Sequence, residues 1–221
     1  MGKTLQKDKI QNDKIFPYAL TNDFKEVTLN SVNILDKVTN QIHIPLQSGS
    51  NTILRKMQRG YNQQKFLEKV DLAISTIKDV SLTTDVIVGF PGETEDDFED
   101  TLSVLKYSKF DAVYMFQFSA RPGTKASEYK DEFIKEDIIR ERFMRLKEMQ
   151  TQISHDRYKR FVGTKQTLLV EKFSKKTNDF MTGKIDGGQT THISSKNIKI
   201  GDYVKVLITE ASPFALKSEI I

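Results

Sequence analysis

Apolar residues recur along this chain with two rhythms, and the change of rhythm at Gly163 constrains the fold more than any other feature. Before it, strand-like and helix-like stretches alternate; after it only the two-residue period of β-strands remains. In QIHIPLQ, Gln41 to Gln47, the residues Ile42, Ile44 and Leu46 share one face, and Pro45 marks a strand end or edge. Asn51 to Met57 reads as a short helical turn, and Gln63 to Lys78 as a helix with Phe66, Val70, Ala73, Ile74 and Ile77 on its core side. SLTTDVIVGF follows as a buried strand and PGET opens the next helix. Thr94 is a good cap there, Glu95, Asp96 and Asp97 complement the helix dipole, and Phe98, Leu102 and Leu105 form the core stripe. AVYMFQFS, Ala112 to Ser119, is another strand. This alternation predicts parallel βα units with right-handed connections. Upstream, IFPYAL and a helix over Phe24 to Leu35, capped by Asn22 or Asp23, would add one more unit. About four strands make half of an eight-stranded barrel, which needs roughly 250 residues in full.

From Lys135 to about Val162 the spacing predicts one long amphipathic helix, with Ile139, Phe143, Leu146, Met149 and Ile153 as its stripe and Arg140, Arg142, Arg145 and Lys147 flanking it. Gly163 is its stop. Then TLLVEKF, FMTGKI, TTHIS, DYVKVLITEA and FALKSEII follow, divided by Asn-Asp, Gly-Gly and Gly-Asp. Five short strands with such turns predict a small β-barrel, for which the oligonucleotide-binding type is one architecture. The expected class is α/β: half of a TIM-like barrel, a long helix and a small β-barrel.

Charge divides at nearly the same place. Residues 1–150 carry 22 basic and 23 acidic side chains, whereas 151–221 carry 12 and 7, a local balance of +5. Such an excess favours a polyanionic partner weakly and is equally the mark of a solvated surface. Lys172, Lys175, Lys176, Lys184, Lys196 and Lys205 lie on or between the terminal strands with Phe173, Phe180 and Tyr203. Lysines interleaved with aromatics suit phosphate contact and base stacking; lysines also protect strand edges.

Three candidate strands end in small polar loops: QSGSN at Gln47 to Asn51, GFPGET after Gly89, and RPGT at Arg121 to Thr124. On parallel strands these loops share one rim, where α/β proteins place their ligands. Neither a phosphate-binding Gly-Lys-Ser/Thr loop nor a GxGxxG fingerprint is present. Asp85 is either an inward acceptor or a satisfied core carboxylate, and Arg121 and Arg59 are either anion clamps or surface residues. His43 alternates with isoleucines and so points away from their face, whereas His155 and His192 read as exposed.

The chain contains no cysteine. It therefore offers no disulfide, thiolate zinc site, Cys nucleophile or iron–sulfur ligation of its own. No apolar run approaches 18 residues, and MGKTLQKDKIQNDK lacks a signal peptide's apolar stretch, so the expected location is cytoplasmic, without membrane contact.

HIPLQSGSNTILRKMQRGY, DVIVGFPGETEDDFEDTL, FQFSARPGTKAS and LVEKFSKKTNDFMTGKI…IGDYVKVLITEA, in this order, resemble the C-terminal portion of the radical S-adenosylmethionine tRNA methylthiotransferases. The likeness runs from about Phe16 to the end, and FSARPGT is the form typical of enzymes acting on isopentenyladenosine next to the anticodon. The resemblance implies a radical SAM domain over 16–162, a TRAM domain, an OB-like barrel that grips the tRNA anticodon stem-loop, over 163–221, and a non-native or disordered start over 1–15. It implies S-adenosylmethionine as cofactor, with two 4Fe-4S clusters on cysteines this chain lacks. It implies that Gln47, Ser48, Gly49, Ser50, Gly89, Phe90, Pro91 and Gly92 border the cofactor, with Asp85 and Arg121 at the barrel mouth. The six lysines above would meet RNA; DNA is not expected. The expectation is a truncated methylthiotransferase, inactive alone, with two alternatives: an RNA-binding module, or one subunit of a split enzyme completed by a separate N-terminal half.

Overall fold

A computed structural model describes residues 38–173, 180–194 and 198–221. The expectations for residues 1–37, including IFPYAL and the helix after it, and for Lys175, Lys176 and Lys196, fall outside them.

Strands β1 (Gln41–His43), β2 (Ser81–Val88) and β3 (Ala112–Gln117) form a parallel sheet in that order. Helices α1 (Asn51–Lys56) and α2 (Gln63–Thr76) connect β1 to β2, and α3 (Glu95–Ser108) connects β2 to β3. The chain then runs through short 3-10 turns into α4 (Glu136–Tyr158). Pro45 shortens β1, yet Gln47 rejoins β2 through an isolated bridge to Val86.

The apolar core lies on one side of the sheet. Ile42, Ile44, Leu46, Leu82, Val86 and Val88 pack there against Phe66, Val70, Phe98, Leu105 and Leu146. Ile74 departs from the predicted stripe of α2 and is 51% exposed. The α4 stripe also differs: the buried positions are Arg142, Leu146, Gln150, Ser154 and Tyr158. Hydrogen bonds explain these polar burials, for Arg142 Nη1 donates to the Glu93 carbonyl, Gln150 Nε2 to the Phe110 carbonyl and Ser154 Oγ to the Asp111 carbonyl. This helix is docked by donors that satisfy carbonyls at the ends of other elements.

Strands β4 (Lys165–Phe173), β5 (Phe180–Lys184), β6 (Thr190–Ser194), β7 (Tyr203–Ala211) and β8 (Leu216–Ile220) close a barrel in the order β4-β5-β6-β8-β7. Leu168, Val170, Met181, Ile193, Val206, Ile208 and Leu216 fill it. It meets the sheet at the amino ends of the parallel strands. Buried Gln189, just before β6, donates through Nε2 to Ser81 Oγ at 2.8 Å, and Arg160 Nη2 donates to the same hydroxyl at 3.0 Å. Asp111, buried just before β3, takes Arg157 at 3.1 Å, Arg160 at 2.7 Å and the Leu82 N–H at 3.0 Å. Burial lowers the pKa of Arg160, a shift the Asp111 charge opposes.

Candidate functional site

The rim predicted from three strand ends exists, and two of its loops are braced from within. Ser50 caps α1 and bonds the Asp97 carboxylate, while Ser48 Oγ lies 3.4 Å from Thr101 Oγ1. The Gly49 N–H donates to Thr101 Oγ1 at 2.9 Å, and a Cβ on Gly49 would sit 2.5 Å from the Thr101 Cα. Only glycine lets this loop lie so close to α3. Thr94 and Asp97 form a full capping box at the start of α3. Burial works against the Asp97 charge, but hydrogen bonds from Ser50 and Thr94 prevail and hold its pKa below the usual carboxylate value. Gln47, buried and at φ 67, gives its carbonyl to Ile87 and its N–H to Asp85.

The second loop, Gly89 to Gly92, lies under residues 118–139. Phe90 packs edge-on against Phe118 at 5.3 Å, and the Gly92 N–H donates to the Glu132 carbonyl. Gly89 has φ +80, and Ile139 occupies the space a Cβ would need. Glu93, unnoticed in the sequence, organises the loop: its carboxylate accepts from the Gly89 N–H at 3.0 Å and pairs with buried Arg142 at 3.0 Å. Burial pushes its pKa up to about 7, against the pull of Gly89 and Arg142. Arg142 also reaches Glu95, which pairs with Arg145, tying α4 to the first turn of α3. The third loop is open: Arg121 is exposed, and among the described residues nothing engages its guanidinium. Arg59 is exposed as well.

The face of the sheet opposite the apolar core is unlike it. His43 stands there as its alternation with isoleucines predicts, with Nδ1 2.9 Å from Thr83 Oγ1 and Nε2 3.3 Å from Asp85 Oδ2. Asp85 pairs in register with Tyr114, and Ile87 with Phe116. The Tyr114 ring lies 5.8 Å from that of His43. Tyr114 and Phe116 are 51% and 53% exposed.

On the barrel, strand register gathers the predicted basic residues into rows. Lys172 is opposite Thr182, which is opposite His192, which is opposite Lys217. Tyr203 is opposite Leu169, itself opposite Lys184. Lys205 donates to Thr167 Oγ1 at 2.8 Å, and with Lys165, Gln166 and Asp186 these two line a cleft of about 290 Å³. Phe173, Phe180 and Tyr203 are 56%, 41% and 47% exposed. His155 and His192 are half-buried rather than exposed, and His192 Nδ1 is 3.1 Å from Thr182 Oγ1.

A 4Fe-4S cluster does not fit this donor set. There is no thiolate in the 221 residues, and among the described residues no three His, Asp or Glu side chains gather as a metal site.

Two family models match the chain, the radical SAM superfamily over residues 6–105 and the TRAM domain over 159–221. The first match spans the parallel sheet as far as α3, and the second spans the barrel. Its curated relatives include the tRNA-2-methylthio-N(6)-dimethylallyladenosine synthases of Corynebacterium glutamicum, 40% identical over 90% of this chain and 39% of that protein, and of Aquifex aeolicus, 39% identical over 93% and 45%. The chain spans less than half the length of these relatives. Coproporphyrinogen III oxidase of Escherichia coli, described as a radical SAM enzyme, shares the fold with a TM-score of 0.52 at 12% identity, over 77% of this chain and 46% of that one. Among the described residues no helix is long and apolar enough to cross a membrane.

Proposed function

We propose that these residues form the part of a tRNA methylthiotransferase that grips the RNA and borders the cofactor, acting on isopentenyladenosine beside the anticodon. The observation that carries this reading is the closed barrel, whose strands carry Lys172, Lys184 and Lys205 together with the exposed rings of Phe173, Phe180 and Tyr203. Phosphates would meet the lysines, including Lys175, Lys176 and Lys196, and bases would stack on the rings.

The carboxyl rim borders S-adenosylmethionine. Gln47, Ser48, Gly49 and Ser50 and the loop of Gly89, Phe90, Pro91 and Gly92 form that rim, their shape fixed by the bonds of Ser48 and Ser50 to α3 and by Phe90 against Phe118. Asp85 and Arg121 line the mouth, and the exposed Arg121 guanidinium suits a carboxylate. Bound S-adenosylmethionine supplies a transferable methyl group. The cluster thiolates come from outside these residues, so this chain alone is inactive, and a cysteine-bearing half on a separate polypeptide would complete a split enzyme. A second reading, an RNA-binding module alone, is favoured by the closure of the barrel, which needs no other element to be complete.

Binding of an anticodon stem-loop across a salt series tests the reading. Replacing Lys172, Lys184 and Lys205 by Ala should reduce the slope of log K against log salt by about 2, at roughly 0.7 per single-strand phosphate contact. An unchanged slope removes the barrel face from RNA contact.

A further inference from the structure

The sheet and the barrel have separate apolar cores, and α4 contributes to both: Leu146 lies in the first and Tyr158 in the second, followed there by Phe161. A helix that ends in the barrel holds it at one place, and a single attachment is a hinge. From Arg142, beside Glu93 at the carboxyl rim, to Arg157, beside Asp111, the helix advances about 22 Å at roughly 1.5 Å per residue. Rim and barrel thus lie at opposite ends of the sheet, and an RNA that touches both has to match their separation.

A second attachment stands off the helix axis. Gln189, 2% exposed, donates to Ser81 Oγ, itself fully buried at the start of β2. The glycine turn before Gln189 lies flat on the sheet: a Cβ on Gly187 would come to 2.6 Å from Ser81 Oγ, and one on Gly188, at φ +81, would overlap Gln41 Oε1. Arg160, in the short turn after α4, donates to the same Ser81 hydroxyl and pairs with Asp111, so the hinge segment and the off-axis contact are tied together. Asp111, 1% exposed, also holds Arg157 and the Leu82 N–H. Buried polar contacts of this kind are directional, satisfied in one relative placement and left desolvated without partners in any other.

We propose that Gln189 and Asp111 are positioning residues for RNA, which brace the barrel against rotation about the end of α4 and so hold its lysine-bearing strands at a fixed span from the carboxyl rim. The assignment rests on the RNA reading above for its ligand and adds to it a determinant of which RNAs fit. Where two contacts sit on one frame whose span matches the ligand, the second forms at high effective concentration, and a frame that swings loses that advantage. Both residues act through the placement of the barrel, since both are buried at the junction.

The chain has no cysteine, so Ser119→Cys beyond the end of β3 and Ser194→Cys on the barrel, both at exposed positions, carry spin labels at two defined places. Dipolar electron spin resonance of the full labelled chain should give one narrow distance distribution, broadened by Gln189→Ala and further by Asp111→Asn. Gln189→Ala leaves Asp111 and both arginines paired, so it decides the matter even where Asp111→Asn fails to fold. In the unlabelled chain Gln189→Ala should weaken binding of an anticodon stem-loop by about tenfold, while a tetranucleotide, too short to reach from barrel to rim, binds as before. A distribution that stays narrow in Gln189→Ala removes the brace. A broadened distribution with stem-loop affinity unchanged, or with tetranucleotide affinity falling equally, removes its role in positioning RNA. If neither RNA binds the parent chain, the RNA reading falls and the positioning of RNA with it, whereas the distance measurement still decides the brace by itself.

Discussion

The barrel and the sheet answer the same physical demand in opposite ways. Five antiparallel and parallel pairings close the barrel, so its backbone edges are satisfied and Leu168, Val170, Met181, Ile193, Val206, Ile208 and Leu216 fill its interior. The three-stranded sheet buries one face under α2, α3 and α4 and leaves the other to His43, Asp85, Tyr114 and Phe116. A closed barrel can only use its outer surface, and there the lysines and aromatics lie. The sheet can use a face, and there the histidine–carboxylate pair lies.

Four perturbations sharpen this contrast, from the largest effect down. Asp111→Ala removes the carboxylate shared by Arg157 and Arg160 where sheet and barrel meet, leaving guanidinium groups without a counter-charge; about 3–5 kcal/mol should be lost in denaturant unfolding. A barrel transition untouched by this change would show that the two regions are not coupled there.

Glu93 gives a pH signature confined to the sheet. Its pKa is raised from 4.5 to about 7 in the folded chain, so between those values the folded state holds a proton that the unfolded state has released. Stability should fall as pH rises through that window, by on the order of 3 kcal/mol, and level off above it. In Glu93→Gln this part of the pH dependence should vanish in melts across the same range.

Gly49→Ala forces a methyl group against the backbone of Thr101 and should cost about 1–3 kcal/mol, read as a lower melting temperature of the sheet region. Lys205→Ala should change stability by less than about 0.5 kcal/mol, since its partner Thr167 is on the surface, yet lower the salt slope of RNA binding by roughly 0.7.

Local signals account for what was legible in the sequence. Period-two runs mark all five barrel strands, the Thr94 cap is written in its own first turn, and the isoleucine alternation puts His43 on the correct face. What stayed hidden depends on partners far along the chain. Ser48 and Ser50 read as a polar ligand loop, but their hydroxyls answer to Thr101 and Asp97, some fifty positions on. Arg142 reads as a polar flank, and nothing in the sequence singles out Gln150 or Ser154, because no periodicity announces which carbonyls these side chains will satisfy. Tyr114 and Phe116 sit in a strand whose first five residues are all apolar or aromatic, so nothing local distinguishes its covered side from its exposed one.

The 221 residues contain no thiolate to hold an iron–sulfur cluster, and the proposed function therefore takes those ligands from elsewhere. Anaerobic reconstitution of the purified 221-residue chain with iron and sulfide, followed by desalting and iron analysis, tests it most directly. The account predicts no retained cluster and no broad charge-transfer absorbance. A stable 4Fe-4S spectrum with stoichiometric iron would contradict it.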